Sequence, residues 1–211
     1  VDLDHLWPGV TSQPIVAFLI YLVVLDLAGY WYHRWQHRFG IWWELHAVHH
    51  SQRQLSLWSD DRNHLLDGMA QASFFAAIAL AIGVAPTQFV VLTAVTNFLQ
   101  SVQHANARLD IGRVLERILV SPAFHRRHHA VGYGHEGTAY GCNFGVLFPW
   151  WDMLFRTASW VQAVEPTGIR QEIEGESYGD GFFSQHWLAF VRIARRFGVG
   201  RGSGRGSASA A

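Results

Sequence analysis

The sequence predicts an all-α integral membrane bundle, about three spans with one hairpin, carrying a cytoplasmic helical cap rich in histidine. Half of the 211 residues are hydrophobic and only 15% are charged. Two stretches free of charge, or nearly so, reach the length of a bilayer, and most of the thirteen histidines gather just beyond them. Sixteen arginines and no lysine balance sixteen acidic residues, so neither a basic footprint for nucleic acid nor an acidic disordered chain is expected. The lone Cys142 can form neither an internal disulfide nor a thiolate cluster. The chain starts at Val1 without a basic, cleavable leader, and a processed or partial chain is expected.

Residues 14–32, PIVAFLIYLVVLDLAGYWY, would make a helix of about 28 Å, close to the hydrocarbon thickness. Residues 68–103 contain no Asp, Glu, Lys, Arg or His, and as one helix would run about 54 Å, nearly twice that thickness. Gly83 and Pro86 divide them, which predicts a hairpin of spans at 68–83 and 87–103. Arginines follow the first span at Arg34, Arg38, Arg53 and Arg62, and follow the hairpin at Arg108, Arg113, Arg117, Arg126 and Arg127. The positive-inside rule then puts both segments in the cytoplasm. One span followed by a hairpin leaves them on the same side, as that rule requires. The all-arginine basic set suggests a bacterial inner membrane.

Residues 1–157 read as one membrane domain and 158–197 as a peripheral segment. Within the latter, FFSQHWLAFVRIARRF sets Phe183, Trp187, Phe190 and Ala194 on one face and Arg192, Arg195 and Arg196 on another, the pattern of an interfacial helix or of one packed on the protein. Residues 198–211, rich in Gly, Ser and Arg, are expected to be disordered.

His33 and His37 stand four apart after the first span; His46, His49 and His50 follow, and His125, His128 and His129 repeat the same H-x-x-H-H spacing. Each set falls on one side of a helix turn. Gathered beside apolar helices, these rings would repel if charged and need partners if neutral; a shared cation meets both demands. Imidazole suits iron, zinc, copper or nickel, and eight nitrogens exceed the needs of one ion. Two ions with open positions fit oxygen activation by iron. A metal transporter would place ligands along a path at mid-membrane, where this chain has almost none. A zinc enzyme on the same scaffold is the other alternative.

The segments D26-x3-YWYHRWQH37, ELHAVHHS51 and SPAFHRRHH129 resemble the three histidine boxes of the fatty acid hydroxylase and sterol desaturase superfamily, membrane di-iron enzymes that use dioxygen on lipids. The likeness continues in QHAN at His104 and in NFGVLFPWWDMLFRT, residues 143–157. Phe144 stands where the superfamily usually has Tyr, Arg156 where it usually has Gly, and Gln100 where some relatives have a second histidine. The resemblance implies nine histidine ligands, His33, His37, His46, His49, His50, His104, His125, His128 and His129, with His64 of RNHLLD as a possible tenth. It also implies two iron ions, with zinc as a possible substitute on purification, a lipid substrate, O2, and a separate ferredoxin or cytochrome with its reductase.

Asp26, two helical turns before His33, is a candidate to orient a ligand imidazole, the alternative being a hydrogen bond to a neighbouring span. Asn106, Asn143 and Asp152 are candidates for the same role or for caps and turns. Trp31, Trp35, Trp42 and Trp43 read as an interfacial belt. His5, His135 and His186 fall outside the pattern and read as ordinary.

Overall fold

Pro14, at the first turn where its missing N–H is no loss, starts the longest helix of the computed structural model, which describes residues 3–107, 109, 111–136, 140–161 and 166–198. Among these residues all regular structure is helical apart from one isolated bridge, Ala130 to Thr167. A short α1 (Leu3–Leu6) precedes α2 (Pro14–Arg38), the one helix long and apolar enough to cross a membrane. Because α2 continues past the apolar stretch, His33 and His37 lie on the same helix as that stretch. Phe39 is extended and breaks the helix, and α3 (Gly40–His50) folds back against it.

The charge-free stretch forms α4 (Leu65–Ala81) and α5 (Pro86–His104). Gly83 turns the chain between them with φ +78°, a left-handed conformation open to glycine. Ala17, Tyr21 and Leu25 of α2 pack with Ala79, Val84 and Leu92 of this hairpin, and the Tyr21 hydroxyl donates to the Gly83 carbonyl at 3.2 Å. Ile15, Leu19, Met69, Leu80, Val90 and Phe98 point outward and are exposed.

The remaining helices are short: α6 (Gly112–Leu115), α7 (Pro122–His128), α8 (Trp150–Leu154) and α9 (Arg170–Ile173), before α10 (Phe182–Arg196). Ser121 caps α7 by accepting from the Phe124 amide at 3.1 Å, which fixes where the last histidine box begins. α10 packs on α3 through its arginine side: Arg192 and Arg196 grip the two carboxylate oxygens of Glu44 at 2.9 and 2.6 Å. Its opposite side leaves Phe183 and Trp187 85% and 68% exposed. The tail expected to be disordered lies, except for Gly198, outside the described residues.

Candidate metal centre

Four helices deliver nine histidines to one place. They come from the end of α2, the last two turns of α3, the final residue of α5, and α7 with His129 as its C-cap. They form two groups, His33, His37, His46, His50 and His128, and His49, His104, His125 and His129. Within each group one ring nitrogen per residue lies within 4.8 Å of all the others. Each H-x-x-H-H triplet is divided. Residues four apart differ by about 40° around a helix and the third by about 60° the other way, so His46 and His50 face one group while His49 faces the second. His125 and His129 join the second group and His128 the first. The groups adjoin, with the His50 and His129 rings stacked at 4.4 Å.

The outer nitrogens explain how the rings are aimed. Nδ1 of His33, His37 and His128 donates to the carbonyls of Phe144, Tyr140 and Cys142 at 3.1, 3.3 and 2.7 Å. Nδ1 of His46 bonds the Asp67 carboxylate at 3.1 Å, and that of His104 donates to the Gln100 carbonyl at 2.8 Å. An N–H at Nδ1 leaves a lone pair at Nε2. Nε2 of His33, His37 and His46 is buried without a hydrogen-bond partner. Others face one another: His128 and His50 at 3.1 Å, His125 and His104 at 2.9 Å, His129 and His125 at 3.1 Å. Buried lone pairs aimed at common points are a donor set that fits two cations, and all-imidazole ligation suits iron or zinc. In the second group Nδ1 of His49, His125 and His129 has no partner, so those rings are less firmly aimed.

Burial holds these rings neutral. It drives His49, His50, His125 and His129 well below the ordinary imidazole value, with neighbouring rings adding to the shift, and puts His128 at about 3. The unfolded chain takes up protons below about pH 6.5 while the native chain does not, so stability is full above that pH and falls as the pH drops. Acid unfolding of metal-free protein should therefore begin near pH 6.5 and steepen toward pH 5, and bound metal should move it lower. Unfolding midpoints measured against pH, with and without metal, check this.

His64 stands apart from both groups. Its Nδ1 accepts from the Leu66 amide as the cap of α4, and its ring lies 4.4 Å from His186. His186 accepts in turn from the Leu65 amide at 2.8 Å, tying α10 to the start of α4. His135 is stacked on Trp43 at 3.5 Å, 5.8 Å from the His37 ring. Trp43 is buried in this layer and Trp42 bonds Asp67 at 3.1 Å, so these two tryptophans support the site from within the fold.

The carboxylates sort differently from the sequence expectation. Asp26 touches no imidazole: its two oxygens accept from the amides of Leu147 and Phe148 and from the Trp151 indole. Seven residues along a helix separate it from His33 by about 10 Å, beyond the reach of its short side chain. Asp152 accepts from the Phe144 and Gly145 amides at 2.8 and 2.7 Å and from the Thr157 hydroxyl. It thereby holds the loop whose carbonyls orient the rings of His33, His37 and His128. Asn143 pins the same loop through the Phe124 carbonyl and the Ser159 backbone, at φ +57°, which Asn tolerates. Arg156 is also left-handed, at φ +58°, which accounts for the glycine usual there in the superfamily. Asn106 accepts from Arg126 at 3.1 Å on the exposed surface.

Asp67 is the carboxylate hydrogen-bonded to one of the nine rings, that of His46, and it also accepts from Gln36 and Trp42, while the Asp60 carboxylate lies 3.6 Å from Nδ1 of His104. Sequence reasoning missed Asp67, although it ends the RNHLLD segment directly before the charge-free stretch. Asp67→Asn should weaken metal retention about 10–100-fold while leaving the helices intact, read by competition with a chelator and by circular dichroism.

A cavity of about 380 Å³ opens from His33, His46, His49, His104 and His125 and runs between α2, α4 and α5. Leu22, Leu25, Phe75, Phe89 and Leu92 form much of its wall. At Gly29 a Cβ would meet Val146 at 2.9 Å, so glycine lets the 145–148 loop close against α2 beside the rings.

Comparison with known proteins places this geometry. A family model described as fatty acid hydroxylase matches residues 18–157. The chain belongs to the fatty acid hydroxylase family. Relatives of this superfamily include ornithine lipid hydroxylase OlsE of Rhizobium tropici, 28% identical over 94% of this chain and 57% of its own length. Alkylglycerol monooxygenase of Danio rerio is 31% identical over 63% of this chain and 28% of its own. Delta(7)-sterol 5(6)-desaturase ERG3B of Gibberella zeae is 26% identical over 65% and 40%. The chain thus spans a little over half, or less, of the length of these relatives. No solved structure matches it.

Proposed function

We propose that the chain forms the core of a membrane-bound, O2-dependent di-iron oxidoreductase that hydroxylates or desaturates a C–H bond of a lipid such as a fatty acyl chain or a sterol. The observation that carries this reading is the pair of buried histidine groups at the end of a largely apolar cavity between helices. The outward apolar residues of α2, α4 and α5 support a bundle in lipid, since exposed faces of this kind favour hydrocarbon over water. The arginines on the histidine side support placing the centre on the cytoplasmic face, of a bacterial inner membrane in this reading. Residues 1–157 act as the catalytic domain, and α10 caps it peripherally.

His33, His37, His46, His50 and His128 would hold one iron and His49, His104, His125 and His129 the other. Bound iron supplies the reduction of dioxygen and the attack on an unactivated C–H bond, chemistry that side chains lack. The protein's part is placement. The 140–144 carbonyls and Asp67 fix the ring orientations, while Leu22, Leu25 and Phe75 line the path along which a lipid chain would lie. Electrons come from a separate ferredoxin or cytochrome with its reductase.

The test is metal content by elemental mass spectrometry on protein purified in detergent. Lipid products with dioxygen and a reductant are then analysed. About two irons per chain are expected, with products that gain one oxygen atom or lose two hydrogens. Zinc that iron reconstitution cannot replace, with no oxidation of any lipid, would overturn the proposal in favour of a zinc enzyme.

A further inference from the structure

We propose that the cavity selects lipids carrying neutral hydrogen-bonding groups, amide, ester or hydroxyl, close to the carbon that reacts. This deepens the oxygenase reading by naming its substrate class, and rests on that reading only for the fate of the lipid. Its basis is a polar stripe along the face of α5 that lines the cavity. Thr93, Thr96, Asn97 and Gln100 line the cavity from α5, with Gln71 of α4 beside them. The α5 residues follow the spacing i, i+3, i+4, i+7, one face of a helix, and the next step along that face is His104 of the metal centre. Among the described residues none of these five side chains has a hydrogen-bond partner.

Charge narrows the ligand. Among the described residues no arginine lines the cavity and its acidic residues are Asp26, Asp60 and Asp61, of which Asp26 is occupied by the 147–151 segment. A carboxylate or phosphate placed along residues 93–100, short of the metal centre, would meet no side-chain cation among the described residues and would lie near acid groups. Thr93 and Asn97 are exposed and Gln71, Thr96 and Gln100 half-buried, all open to the cavity; a bare hydrocarbon would fill the space but leave these amides and hydroxyls facing an apolar chain, and sites built to hydrogen-bond discriminate most strongly against analogues lacking the group. Carboxamides and hydroxyls both donate and accept, which matches amide, ester and hydroxyl partners. From Gln100 to His104 the axial distance is about 6 Å and from Thr93 about 16 Å. The polar groups recognised therefore lie within that span of the reacting carbon, and the remainder of the chain runs along Leu22, Leu25 and Phe89.

Photo-crosslinking tests this without depending on turnover. A long-chain N-alkyl amide, a long-chain alcohol, the alkane of equal length and the fatty acid anion, each bearing a diazirine, are irradiated with the full chain in phosphatidylcholine nanodiscs. Adducts are then mapped by mass spectrometry. The amide or the alcohol should label residues 93–100 about fivefold or more above alkane and carboxylate, and comparison of those two arms tells which group is preferred. Thr96→Val with Asn97→Leu should remove that advantage while helical content and metal content hold. Should that variant fail to fold, the comparison among the four probes on the unaltered chain decides alone. Equal labelling by the alkane, preference for the carboxylate, or an α5 closed to all four probes, as a seam between two copies would be, overturns the proposal. Selective labelling by a chain that oxidises no lipid when iron-loaded would count against the oxygenase reading and leave the cavity's selectivity standing.

Discussion

Replacing His128 by alanine is expected to lower bound iron from about two to about one per chain and to reduce lipid oxidation by more than about a thousandfold. His128 is fully buried, its Nδ1 fixed by the Cys142 carbonyl and its Nε2 3.1 Å from that of His50. Its loss removes a donor from the first group and leaves the 140–144 loop facing a void. His49→Ala takes the second group from four histidines to three, and because three rings of that group have no outer hydrogen bond at Nδ1, its ion should also be the first released to a chelator. Effects of residues that act as a unit do not add, so the double variant should be no less active than the worse single one. Metal content and turnover measured on the same samples check all three outcomes. Full metal and full oxidation in both single variants would refute the shared centre.

The second large effect is on stability. Glu44→Gln removes the carboxylate from Arg192, 6% exposed, and leaves its buried charge with only the Glu44 backbone carbonyl and the Tyr178 ring; breaking such a pair from one side costs about 3–5 kcal/mol. The Glu44 carboxylate joins α3 to Arg192 and Arg196 of α10, with the Glu44 backbone carbonyl accepting from Arg192 as well, and α3 carries His46, His49 and His50. Loss of the clamp should therefore lower the unfolding midpoint and loosen metal together. Arg196→Ala is the control: that side chain is 47% exposed, and pairs open to solvent contribute about 0–1 kcal/mol. Equal losses in the two variants would mean that Glu44 acts only by packing.

Much of this was legible in the sequence because helical spacing is a strong signal. The apolar run at 14–32, the break at Gly83 and Pro86, and the repeated H-x-x-H-H triplets all depend on neighbours within a few residues, and the helices follow them closely. What was hidden depends on distant pairs. No local pattern says that residue 26 binds residues 147, 148 and 151, or that Asp67 rather than Asp26 reaches the His46 ring. The carbonyls of Tyr140, Cys142 and Phe144 are invisible to residue-type reasoning, since every residue carries the same carbonyl. His135 and His186 looked ordinary because each is alone in sequence; the partners that occupy them, Trp43 and the Leu65 amide, lie 92 and 121 residues away.

The 140–144 loop has a consequence in time as well as in space. His33 receives its orienting carbonyl from a residue 111 positions later, and the loop is held by Asp152 and Thr157 later still. A chain made from its N-terminus forward therefore exposes His33 and His37 well before the carbonyls that aim them exist. Until about residue 157 has emerged from the ribosome, these imidazoles are free to take whatever ion is abundant. If the centre holds iron as proposed, its loading would be a problem of timing during synthesis, and a cell making this protein would gain by keeping competing zinc and copper scarce until the last loop has closed.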